Sequence, residues 1–230
     1  MIRDMAAALS LKTSAQAASA VVLPTELPVE RLAEVFHIGT MRAADKSDFS
    51  YEGSGFSISL DPDAWEAIAR LGGLPWWKLS KADGRFLMAH DLTEGRREQI
   101  SAWGIAEGYA VEITCYEVSR VDDELGGEVT SIYEDIAEAE WEAEECEAEL
   151  TEGRTLKATE KLRQAISVQT DLNCFDHLLG IYAEQMTDVD GIWWADEYGH
   201  LSAPRGVIFR DRLHTWTAVR CCQDDLFIDS

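Results

Sequence analysis

Three short stretches hold side chains whose types and spacing could carry chemistry. Phe36-His37-Ile38-Gly39-Thr40 places an imidazole and a hydroxyl at the end of an apolar run. Tyr51-Glu52-Gly53-Ser54-Gly55-Phe56-Ser57-Ile58-Ser59 bends at its glycines, then alternates like a half-buried strand, with Trp65 shortly after. Gly191-Ile192-Trp193-Trp194-Ala195-Asp196-Glu197-Tyr198-Gly199 is an apolar strand ending in adjacent carboxylates. Each also has a plain structural reading. His37 can be a satisfied strand residue, Asp196 and Glu197 can be the turn of a hairpin, and Ser57 and Ser59 can decorate a polar strand face. Other chemistries find less support. The histidines (His37, His90, His177, His200, His214) show no ligand spacing to one another or to the cysteines, so no zinc motif is legible. No G-x-S-x-G elbow is present, no cysteine sits in a nucleophile motif, and Gly53 and Gly55 form no phosphate loop.

Taken in order, the three stretches resemble the ADP-ribosyltransferase superfamily, specifically its His-Tyr-Glu branch of diphtheria-type toxins and poly-ADP-ribose polymerases. The fullest similarity is to small phage-borne members used as anti-CRISPR proteins, which also open on a Phe-His strand and end on a glycine-led strand and an Asp-Glu turn. The likeness covers about Val35–Trp65, Tyr109–Val118 and Gly191–Phe209. It implies an NAD cofactor and transfer of ADP-ribose to a protein. Breaking the nicotinamide–ribose bond builds positive charge on the sugar, as in glycosidic cleavage, and a nearby carboxylate stabilises that charge. Glu197 or Asp196 would serve as the catalytic group. The resemblance has His37 hydrogen-bonding the adenosine ribose with Thr40 in support. Ser57 falls where the family carries a tyrosine, so the aromatic stacked on nicotinamide is Tyr51, Phe56 or Trp65.

Elements must position these groups. Leu32–Thr40 reads as a first strand and Met41–Asp48 as a polar loop. Asp61-Pro62-Asp63 starts a helix that Gly72-Gly73 should end. Trp76–Leu79 reads as a strand, Glu94–Gly104 as a helix and Tyr109–Val118 as the clearest strand. Thr159–Val168 and Phe175–Met186 read as helices, Gly191–Trp194 and Arg205–Phe209 as a hairpin, and Thr215–Cys221 as a closing strand. The expected architecture is α+β, a mixed or antiparallel sheet with flanking helices in one domain over 29–230. Residues 1–28 form an extension, poorly ordered or loosely docked. Its Ala15-Gln16-Ala17 resembles a cleavage site, but Asp4 and the short apolar run Ala6–Leu11 argue against a secretory signal.

Charge is the other strong signal. Forty-three acids against 20 bases give a net charge of −23, which disfavours direct binding to phosphate backbones and anionic lipid. No apolar run is long enough to span a bilayer, and five scattered cysteines without C-x-x-C suit a reducing, cytoplasmic compartment, that of the host cell if the chain is phage-encoded. Fourteen of the acids fall between Asp122 and Glu152, with no Lys or Arg among them. Ile132, Ile136, Ala139, Ala143, Cys146 and Leu150 recur there at helical spacing, predicting one acidic amphipathic helix inserted at 122–152. Such a face is either a solvated surface or a site for a basic protein partner. The second possibility gives an alternative function, a non-catalytic inhibitor whose acidic helix imitates nucleic acid and blocks a nucleic-acid-binding protein.

Overall fold

The computed structural model describes residues 27–41, 55–122, 127–166, 170–195 and 204–221. It is an α+β protein with five helices, an eight-stranded mixed sheet and a three-stranded antiparallel sheet among those residues. The large sheet is assembled from both ends of the chain. Its strands are β1 (Val29–Arg31), β2 (Glu34–Ile38), β3 (Phe56–Ser59), β4 (Trp76–Ser80), β5 (Arg85–Met88), β9 (Gly191–Trp194), β10 (Arg205–Ile208) and β11 (Thr217–Cys221). They lie in the order β1-β5-β9-β10-β3-β2-β4-β11. Only β5 and β9 run parallel among the described pairs.

Between β5 and β9 the chain leaves the sheet. Helix α2 (Glu94–Ala106) leads into β6 (Ala110–Asp122), which pairs with β7 (Gly127–Tyr133) on one side and β8 (Glu149–Ala158) on the other. Helix α3 (Ile136–Glu145) connects β7 to β8, and α4 (Glu160–Ile166) and α5 (Phe175–Met186) return the chain to β9. Leu162, Leu178, Leu179 and Tyr182 from α4 and α5 join Ile100 of α2 and Leu87, Ile192 and Val207 of the large sheet in one buried core. The sheet's other face gathers Val35, Ile58, Leu79, Phe86, Trp193, Ile208 and Trp216. Strand residues alternate between these clusters, as the two-residue period of a pleated sheet requires.

Several expectations need correction. The strand expected over Leu32–Thr40 is β2, which pairs with β4 and β3, and an unforeseen strand, β1, precedes it and pairs with β5. Strand β5 has no counterpart in the sequence reading. Helix α1 (Pro62–Ala69) starts as expected, with the Asp61 carboxylate accepting from Ala64 N at 3.0 Å, but it ends at Arg70 rather than at Gly72-Gly73. Arg70 takes the left-handed position (φ 54°) and donates its N–H to Glu66 O. Ser59 does not face solvent: it is 1% exposed, and its hydroxyl donates to Asp61 O (2.9 Å) while accepting from Asp61 N (3.0 Å).

The largest correction concerns the acidic segment. It is a strand, a ten-residue helix and a strand, not one long helix. Ile132 belongs to β7 and Leu150 to β8, so the helical spacing ran across three elements. Asp135 caps α3, accepting from Ala137 N at 2.7 Å, and Glu147 turns the chain out of it in a left-handed conformation (φ 50°). β-Branched Val129, Thr130 and Ile132 suit the pleated surface of β7.

Candidate functional site

His37 stands where β2 approaches its end, on the face that carries Val35. The ring is 7% exposed and opposite Trp77 of β4. Its Nδ1 lies 2.7 Å from the Ser57 carbonyl and its Nε2 3.2 Å from the Thr40 carbonyl, with Phe56 edge-on at 5.6 Å. A neutral imidazole carries one N–H and donates to one of these carbonyls; an imidazolium donates to both. The turn that brings Thr40 back is made by Gly39, at φ 131°, a conformation L side chains rarely adopt. Trp77 fixes the same turn by donating its indole N–H to Gly39 O (2.9 Å).

The structure thus groups His37, Thr40, Phe56 and Ser57, although Thr40 and Ser57 contribute main-chain carbonyls to the histidine and not their hydroxyls. Trp65 is half-buried on α1, the helix that packs beside β2. Tyr51, Asp196 and Glu197 lie outside the described residues. What the structure does place is the strand that leads to the carboxylates. Trp194, Arg205, Ser59 and Phe36 form one rung across β9, β10, β3 and β2. Strand β9 is therefore three strand spacings from β2, about 14 Å. On the His37 face Trp193 lies over Gly206, where a Cβ would fall 2.6 Å from both the Trp193 ring and Ile192 O. The start of β9 is pinned by Asp190, a buried carboxylate held by Lys81 Nζ (2.7 Å) and Arg85 N (2.9 Å).

A second concavity opens on the opposite face of the sheet, at the end of β9. It encloses about 350 Å³ beside Trp194 and Ala195, with Arg97 of α2, His90, and Phe175 and Asp176 of α5 in its walls. The Arg97 guanidinium sits 5.0 Å over the Phe175 ring and donates to Ala89 O at 3.2 Å. The indole N–H of Trp194 is buried without an acceptor among the described residues. Sequence reasoning missed this group, because Arg97 and Phe175 belong to separate helices and neither lies in a motif.

The electrostatics of the acidic segment also changed on folding. Basic residues from the flanking strands reach into it: Lys157 of β8 pairs with Glu134, and Arg120 of β6 meets Glu142 at 3.7 Å. Glu128, Glu138, Glu140, Glu144, Glu145, Glu147, Glu149 and Glu152 remain exposed with no ion pair among the described residues. Trp141, 62% exposed, stands in their midst on α3. Burial pushes the Cys174 thiol up to about 11 and raises Cys115 as well, with Glu117 adding to the second effect. Among the described residues no three His, Cys, Asp or Glu side chains are grouped to hold a metal ion, and no helix is long and apolar enough to cross a membrane. No protein-family model, no curated protein and no solved structure matches the chain.

Proposed function

We propose that the chain is an NAD-dependent mono-ADP-ribosyltransferase acting on a protein, with an ADP-ribosyltransferase-like sheet as its framework. The observation that carries this reading is the contiguity of β2, β3, β10 and β9: motifs far apart in the chain occupy four neighbouring strands. On this reading NAD lies along the His37 face. His37 releases the Thr40 carbonyl, the farther of the two carbonyls at its ring nitrogens, to meet a ribose hydroxyl. Phe56, Ser57 and Tyr51 or Trp65 shape the nicotinamide end. Asp196 or Glu197, directly after β9 in the chain, stabilises the cationic ribose as nicotinamide departs. An anti-CRISPR or toxin-like role in a host cell's cytoplasm, directed at a host defence protein, follows from the family resemblance alone. Labelled NAD incubated with host lysate and the protein should mark a target, and Glu197→Ala or Asp196→Ala should abolish the mark. No labelling, together with no heat of NAD binding, overturns the reading.

A second reading is favoured by the exposed carboxylates around Trp141. Here the chain is a non-catalytic inhibitor, and the β7–α3–β8 surface imitates a phosphate backbone to occupy a basic, nucleic-acid-binding protein. Replacing Glu138, Glu140, Glu144, Glu145, Glu147 and Glu149 by glutamine should release such a partner. A complex that forms with unchanged affinity and salt dependence rules this out.

A further inference from the structure

We infer that the concavity at the end of β9 is a ligand site separate from the His37 face, and that it takes a small aromatic carboxylate. The separation follows from the pleat. Trp193 packs with Val35 and Ile58 on the histidine face, while its neighbour Trp194 packs against the opposite core and lines the cavity. A ligand held beside Trp194 is therefore on the far side of the sheet from the proposed NAD path.

Size and lining set the class of ligand. About 350 Å³ lies at the lower end of small-molecule pockets, enough for one or two fused rings with a short substituent. Phe175 and Trp194 offer flat apolar walls. Arg97 is the permanently cationic group in these walls. It is half-buried, it is held by the Phe175 ring and by one main-chain carbonyl, and no carboxylate among the described residues pairs with it. Arg85, Arg163 and Arg212, half-buried arginines of other elements, each have an acidic partner. In a chain of net charge −23, an arginine fixed in place and in no ion pair among the described residues is a preorganised receptor for a carboxylate. Asp176, also in the wall, and the surrounding negative charge penalise a dianion more than a monoanion, which selects carboxylate over phosphate. His90 at the rim is already turned to Asp91 at 3.5 Å and adds no net positive charge there.

The test titrates 2-naphthoate and its neutral counterpart 2-naphthamide into the full chain by calorimetry. One molecule of naphthoate should bind, and naphthamide should bind about tenfold more weakly or worse, the usual effect of losing a charge-assisted contact. Arg97→Gln should erase the difference between the two probes and Arg97→Lys should restore part of it. Arg220→Gln, on the exposed strand β11, removes the same net charge elsewhere and should leave binding unchanged. Equal affinity for the two probes in the wild-type chain overturns the proposal even if the Arg97 variants fail to fold. So does a loss with Arg220→Gln equal to that with Arg97→Gln, which would reduce the effect to long-range charge. Because NAD is absent from every arm, the outcome is independent of transferase activity.

Discussion

Inside its edge strands the eight-stranded sheet has both faces lined by buried clusters, whereas the central strand of the three-stranded sheet leaves Val111 45% and Val121 76% exposed and the helix beside it turns Ile136 and Trp141 outward. Ala110, Cys115 and Val118 of β6, Ala158 of β8 and Ala139 of α3 are the residues it buries well. What holds the smaller unit is mainly its main-chain ladder, ten consecutive pairs between β6 and β8 from Ala110 to Ser119. Burial makes the large sheet rigid and the small one presents charge. A rigid sheet is where a catalytic geometry can be kept; an exposed acidic one is where a partner can be met.

The comparison can be broken most sharply in the core. Leu178→Ala removes a fully buried side chain seated against Gly104, and should cost about 2–5 kcal/mol in a denaturant titration. The corresponding truncation on α3, beside the small sheet, Trp141→Ala, should change stability by no more than about 0.5 kcal/mol. Ion pairs should divide the same way. Lys81→Ala strands the Asp190 carboxylate, 4% exposed, and should cost about 3 kcal/mol or more, while Lys157→Ala leaves a partner, Glu134, that water already reaches and should cost far less. Next comes the cap of α3. Asp135→Ala should cost about 1 kcal/mol and lower the helical signal without disturbing the large sheet.

The smallest effect is one of pH. Burial, with Asp211 adding to it, raises Glu184 above the usual 4.5 of a glutamate. The folded state then holds this proton more tightly than the unfolded chain. Its contribution is fully present below 4.5 and is lost as pH rises through the elevated folded value. Glu184→Gln should flatten that part of the stability–pH curve and leave the protein slightly more stable at neutral pH. A curve unchanged by the substitution would show that the carboxyl is solvated in solution.

Much of the large sheet was legible because its signals are local. Helix α5 matches its expected bounds, Phe175 to Met186, since Leu178, Leu179 and Tyr182 recur on one helical face. The β9–β10 hairpin was readable from two apolar runs flanking a polar turn, and Arg205 does pair with Trp194. Strand β5 escaped because Arg85–Met88 is four residues long with no alternation, and its place is set by β1 and β9, remote in sequence. The acidic segment was misread for the opposite reason: a spacing of three and four persisted through Ile132 and Leu150, and only Asp135 marked where the helix begins. At the candidate site, the meeting of His37 with Phe56 and Ser57 follows from neighbouring strands, and the motif order hinted at it. The use of the Thr40 carbonyl in place of its hydroxyl depends on the backbone angle of Gly39, which a sequence does not display.

The pairing of β5 with β9 has a kinetic meaning. These strands adjoin in the sheet, yet among the described residues between them the chain makes two other strand pairings and four α-helices before it returns. Contacts of such long sequence separation must close a large loop before they repay it, so this sheet should form slowly, on the millisecond-to-second scale. During synthesis β2, β3 and β4 emerge early and wait for β10, leaving the inner edge of β3 unpaired until residue 208 is made. The order of events is then dictated by topology: the acidic unit, whose β6, β7 and β8 are close in sequence, can be complete while the His37 face is still half a sheet.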